Sequence, residues 1–149
     1  MRHRMVVAVL ALVGLLLSLY LTLHRLGVIG PIACAGSAAC DVVQLGPYGA
    51  LLGVPVAAYG VAAYLGILGT ALAGLQERWL AHPGPTRLVA LLSGAGVAFT
   101  LYLMYLELFV IRALCAWCLA SAVLIAAILG VSLVGMRSGL TPRPPRTSL

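Results

Sequence analysis

Polar and charged residues fall in a few short clusters along this chain, and four apolar stretches lie between them. A helix of about 20 mostly apolar residues spans roughly 30 Å of hydrocarbon. The pattern predicts spans at about residues 5–23, 53–75, 88–110 and 114–136, with Glu107 the one charge inside them. Between the spans lie a loop at Gly27–Leu52, a connection at Gln76–Arg87 with the breakers Pro83, Gly84 and Pro85, and a short turn at Ile111–Ala113. The expected fold is an all-α integral membrane protein, a four-transmembrane-helix bundle over residues 1–136. A disordered tail is expected at 137–149, where Pro142, Pro144 and Pro145 cluster.

Composition agrees with a bilayer as solvent: 63% of residues are hydrophobic and only 8% charged, with a mean hydropathy of +1.14. The net charge of +6 does not point to nucleic acid, because the basic side chains sit singly at the ends of apolar runs and form no stripe. They orient the bundle instead. Arg2, Arg4, Arg78, Arg87, Arg137, Arg143 and Arg146 fall on one side, against Arg25 and Arg112 on the other. Basic flanks are retained in the cytoplasm, so both termini are expected there, in a bacterial inner membrane. The loop at Gly27–Leu52 is then extracytoplasmic. A cleaved signal peptide or lipoprotein signal ending at Cys34 fits less well, because the first apolar run exceeds a secretory core and three more spans follow.

Small residues recur along the second span at Ala57, Gly60, Ala63, Gly66, Gly69 and Ala73, with Ser93, Gly94 and Gly96 in the third. Close helix packing is the expected reason.

The orientation places all four cysteines on the oxidising side. Cys115-Ala116-Trp117-Cys118 opens the fourth span, with thiols at i and i+3 on one helix face. The positive end of the helix favours a thiolate there. Cys34 and Cys40 are separated by five small residues, a loop able to open and close a disulfide. Two pairs suit a thiol–disulfide relay, the loop pair meeting a soluble partner and then the fixed pair. Two other readings stand beside it: a tetrahedral zinc or soft-metal site in a metal-handling membrane protein, and two structural disulfides. His24 and His82 are assigned no role.

The motifs Cys34…Cys40-Asp41-Val42-Val43, Pro47-Tyr48, Leu52-Gly53-Val54-Pro55-Val56-Ala57-Ala58-Tyr59-Gly60 and Cys115-Ala116-Trp117-Cys118 resemble bacterial homologues of the vitamin K epoxide reductase family. The similarity extends over about Met5 to Val134. The order is specific, since DsbB-type quinone reductases place C-x-x-C in the first loop and the wider pair in the second. The resemblance implies a bundle around a membrane quinone of the ubiquinone or menaquinone class. It also implies a relay from a thioredoxin-fold, DsbA-like oxidase, here expected as a separate protein. Catalysis falls to Cys34, Cys40, Cys115 and Cys118. Cys115, a turn before Cys118 and expected nearer water, is attacked by the loop pair, and Cys118 faces the quinone. Tyr59, Tyr102 and Tyr105 are candidate quinone contacts, as is Tyr64, and Trp117 could cap the pocket. Where the family usually has serine or threonine beyond the second loop cysteine, this chain reads Gln44-Leu45-Gly46. It contains no asparagine, which argues against the epoxide reduction of vertebrate members.

Overall fold

The structure, a computed structural model, describes residues 2–32, 34 and 39–140. Four helices are long and apolar enough to cross a membrane: Arg2–Arg25, Val56–Ala73, Gly84–Ile111 and Ala116–Ser138. In chain order the elements are α1 (Arg2–Arg25), α2 (Ala39–Leu45), a two-stranded hairpin of β1 (Ala50–Leu51) and β2 (Val54–Pro55), α3 (Val56–Ala73), α4 (Glu77–Leu80), α5 (Gly84–Tyr105) and α6 (Ala116–Leu140). A π-helical turn, Leu106–Ile111, continues α5. The fourth helix runs on to Leu140, and the rest of the expected tail, 141–149, lies outside the described residues.

The four long helices close into a ring in which α1 and α5 each pack against both α3 and α6. Lipid is as apolar as leucine, so such a bundle is held by close packing and by polar ties rather than by expulsion of water. Both are present. The Tyr64 ring lies directly over Gly14, where an added Cβ would come within 2.3 Å of it, so only glycine allows α1 and α3 this approach. The Tyr64 hydroxyl then donates to the Ser121 carbonyl at 2.9 Å, tying α3 to α6. Around this contact Val7, Ala11, Ile67, Ala71, Val89, Ile125 and Ile128 form the buried core. Of the glycines in the second span, Gly60 meets Ser18 on α1, while Gly66 and Gly69 face outward.

Among the boundaries that differ from the expected ones, two have local reasons. The second span begins at Val56, because residues 50–55 form a hairpin in the register Ala50↔Pro55 and Leu51↔Val54. Leu52 and Gly53 both have positive φ at its tip, the backbone that a tight hairpin turn requires. The third span extends through the π turn to Ile111. The first loop is also more ordered than a plain linker, since it carries α2, a 3-10 turn at Pro47–Gly49 and the hairpin.

At the opposite end of the bundle, helix ends leave carbonyls without intrahelical partners. The Arg4 guanidinium donates to the carbonyls of Gly74, Trp79 and His82, fastening α1 to the connection between α3 and α5.

Candidate functional site

The last turn of α1 positions α2. His24 Nε2 lies 2.9 Å from Asp41 Oδ1, and its Nδ1 lies 3.1 Å from the Gly30 carbonyl. Arg25 Nη1 donates to the Gln44 carbonyl at 2.5 Å. Cationic side chains at a helix C-terminus are favourably placed, and here they reach across to a second helix. Cys40, on α2, is fully buried and joined to Cys34 by a disulfide, with the Cα atoms 5.9 Å apart.

The π turn shapes the other wall. It ends at Arg112 with φ 56, and the Ala113 N–H donates back to the Glu107 carbonyl at 3.1 Å. This folds the chain so that the Glu107 carboxyl accepts the Cys115 backbone N–H at 3.1 Å. Single π turns recur at functional sites because they re-aim side chains inside an otherwise regular helix. Glu107 is only 2% exposed, and among the described residues no basic side chain pairs with it.

Cys115 caps α6. Its carbonyl accepts the Leu119 N–H at 3.0 Å, and its sulfur accepts the Cys118 N–H at 3.4 Å, the arrangement by which Ser or Asp caps a helix. Hydrogen bonding from the Cys118 thiol, opposed by burial and aided by the Cys118 and Trp117 N–H groups, holds the Cys115 pKa down to about 7. Cys115 is not the more exposed of the pair: it is completely buried, in one cluster with Cys34, Cys40, Leu21, Ile32 and Val43. Its place a turn before Cys118 led to the expectation that it lies nearer water, but the first loop carries the disulfide that packs against it. Cys118, partly exposed, borders that cluster.

Cys118 also lines a small cavity of about 30 Å³. Its walls are Val43, Val56, Leu103, Leu106 and Ile111, with Gln44, Tyr48 and Glu107 as the polar groups. Gln44 Nε2 donates to Cys118 Sγ at 3.3 Å, and the Glu107 carboxyl shares the cavity wall with the Cys118 thiol. Apolar walls with a few convergent polar groups beside a thiol suit the flat, weakly polar head of a quinone. The volume is that of only a few waters, so a ring requires rim side chains such as the exposed Tyr48 to move. A second cavity, at the opposite end beside His3, Arg4 and Thr86, contains no cysteine.

The tyrosines lie elsewhere. Tyr102 and Tyr105 are 54% and 56% exposed on the outside of α5. The Tyr59 hydroxyl donates to the Leu51 carbonyl at 3.0 Å, with its ring beside Phe99, and none of the three lines the cavity. Trp117 packs edge-on to Tyr20 at 5.9 Å. The groups beside Cys118 that sequence reasoning did not select are Gln44 and Glu107. Each left a signal: Gln44 stands in the stretch where the resembled family has a hydroxyl, and Glu107 is the lone charge in a span.

Among the described residues no group of three or more His, Cys, Asp or Glu is placed to hold a metal ion, and two of the four sulfurs are consumed in a disulfide. Comparison with protein families finds that the model of the vitamin K epoxide reductase family matches residues 5–133 of the 149-residue chain.

Proposed function

The chain belongs to the vitamin K epoxide reductase family, whose members are membrane disulfide oxidoreductases, and from that premise we propose that it reoxidises an extracytoplasmic thioredoxin-fold protein and passes the electrons to a membrane quinone, supporting disulfide formation. The observation that carries the reading is the convergence of both cysteine pairs: Cys34, Cys40 and Cys115 share one buried cluster, and Cys118 connects it to the cavity.

The exchange runs through disulfide chemistry. A thiolate of the partner attacks the Cys34–Cys40 bond, and the partner's second thiol resolves the mixed disulfide, leaving the loop pair reduced. One loop thiolate then attacks Cys115 Sγ, breaking the Cys115–Cys118 bond and releasing Cys118 as a thiolate. The other loop thiolate closes the loop disulfide and frees Cys115. In the structure the loop pair is bonded and Cys115 and Cys118 are thiols. A quinone bound beside Cys118 supplies an acceptor for two electrons and two protons. Gln44 and Cys118 would meet it, with Val43, Val56, Leu103 and Leu106 as the apolar wall beside the sulfur.

The sidedness rests on the excess of arginine at the end of the bundle that holds Arg4 and the α3–α5 connection. A membrane-impermeant thiol reagent is therefore expected to label Cys34 or Cys40 in intact cells after mild reduction. The decisive experiment uses purified protein, a reduced thioredoxin-fold donor and added quinone. Quinone absorbance is expected to fall by one equivalent per dithiol oxidised. An unchanged spectrum, with bound zinc in the same sample, would replace this reading with the metal site.

A further inference from the structure

Cys118 is the thiol from which electrons leave in the relay described above, and the present inference rests on that relay. A thiol must lose its proton before its sulfur can donate an electron pair. The Cys118 proton has two neighbours that can receive it, the Cys115 sulfur and the Glu107 carboxyl. In the reduced pair that the structure holds, Cys115 is itself a thiol and takes no second proton. Gln44 Nε2–H offers only a donor toward the sulfur, so it stabilises a thiolate but takes no proton.

Glu107 has the remaining features of a proton acceptor. It is buried and has no cation beside it among the described residues. It lines the same cavity as Cys118. Its carboxyl is held by the Cys115 N–H, on a π turn that aims it into the bundle. An ionisable residue within a span is costly and is retained for function more often than for packing. Titratable groups facing it are Cys115 and Cys118 from α6 and Tyr48 from the turn before α3. Arg112 at the end of its own segment is exposed, while His24, Asp41 and Arg25 are engaged between α1 and α2.

We propose that Glu107 is the proton acceptor of Cys118, taking the thiol proton to leave a Cys118 thiolate beside the Gln44 amide and a neutral Glu107 carboxyl at the cavity wall. The step moves one proton and no electrons: the S–H bond breaks and an O–H bond forms. The carboxyl then stands as the source of that proton at the place where the electrons depart.

The test needs neither quinone nor partner. In a Cys115→Ala background, where Glu107 is the one acceptor left to Cys118, the rate of Cys118 methylthiolation by a small thiosulfonate is followed against pH. Glu107→Gln is expected to slow it at least tenfold at pH 7, and Glu107→Asp to restore part of the rate. If Glu107 were only a neighbouring negative charge, its removal would ease thiolate formation, so an unchanged or faster rate overturns the proposal. Infrared difference spectra of the wild-type protein provide a check independent of folding in the variants. Reducing the Cys115–Cys118 bond is expected to bring up a protonated carboxyl band, and its absence overturns the proposal equally. Quinone reduction by the wild-type protein stands or falls separately, so failure of the relay and failure of this proton path are distinguishable.

Discussion

His24 and Asp41, seventeen positions apart, meet at 2.9 Å between the end of the first span and the helix that carries Cys40. The imidazole is almost wholly buried, and both of its nitrogens face oxygen acceptors, Asp41 and the Gly30 carbonyl. Breaking such a contact leaves a buried polar group without its partner, at a cost of about 1–3 kcal/mol. Asp41→Ala is expected to lower the thermal midpoint of the purified protein and to slow partner oxidation, because Cys40 sits next to Asp41. A melting curve and a turnover rate both equal to those of the parent would remove the pair from any role in holding α2.

Gln44 has a separable contribution. Its backbone carbonyl is held by Arg25, whereas its side-chain amide reaches Cys118. Gln44→Leu keeps the first contact and deletes the second. A hydrogen bond to a charged group contributes about 1.5–3 kcal/mol, and a factor of ten corresponds to about 1.4 kcal/mol. The electron transfer from the inner pair is therefore expected to slow roughly tenfold or more with little change in melting temperature. Stopped-flow quinone absorbance reads the first quantity and thermal unfolding the second.

The depressed pKa of Cys115 gives a pH dependence with a definite sign. A thiol with a pKa of about 7 is thiolate above that pH and is lost as a nucleophile below it, whereas an ordinary cysteine titrates near about 8.5. Ultraviolet thiolate absorbance of the reduced inner pair is expected to rise through pH 7. Since the Cys118 thiol is the first cause of the depression, Cys118→Ala is expected to move the rise to higher pH. A midpoint indifferent to that substitution would show that the helix end, rather than the second thiol, sets the value.

Trapping separates the two inner sulfurs. Without Cys118 the bond between Cys115 and a loop cysteine lacks its competitor, so Cys118→Ala is expected to accumulate that mixed disulfide, legible by non-reducing peptide mapping. Cys115→Ala leaves the Cys118 thiolate at the cavity and is expected to give a new visible absorbance when quinone is added. The two outcomes exchanged between the variants would reverse the assignment of the sulfurs.

The spans and both cysteine pairs were legible in the sequence because apolar length and cysteine spacing are themselves the physical constraints. The site between them was legible only in part. Residues 39–45 are too few to display a helical period, so α2 and its grip by His24 and Arg25 were hidden in what reads as a loop. The π turn and the left-handed Arg112 arise from tertiary packing that no local propensity encodes. The tyrosines illustrate the converse. A span that is apolar on every side offers no moment to tell which face looks inward, so Tyr64, packed on Gly14, and Tyr102, pointing out, read alike. Glu107 was visible as a lone charge, but its reach to Cys115 depends on the backbone between residues 107 and 115.

The three carbonyls gripped by Arg4 belong to residues 74, 79 and 82, which bears on how the bundle is made. When the first span leaves the ribosome, these three acceptors do not yet exist, for they are synthesised some seventy residues later. Early in biogenesis the first helix therefore lacks this tie. Its pose is fixed only when the second span has turned back and the connection after it has emerged, so the face that carries Gly14 toward Tyr64 is chosen after insertion and not during it.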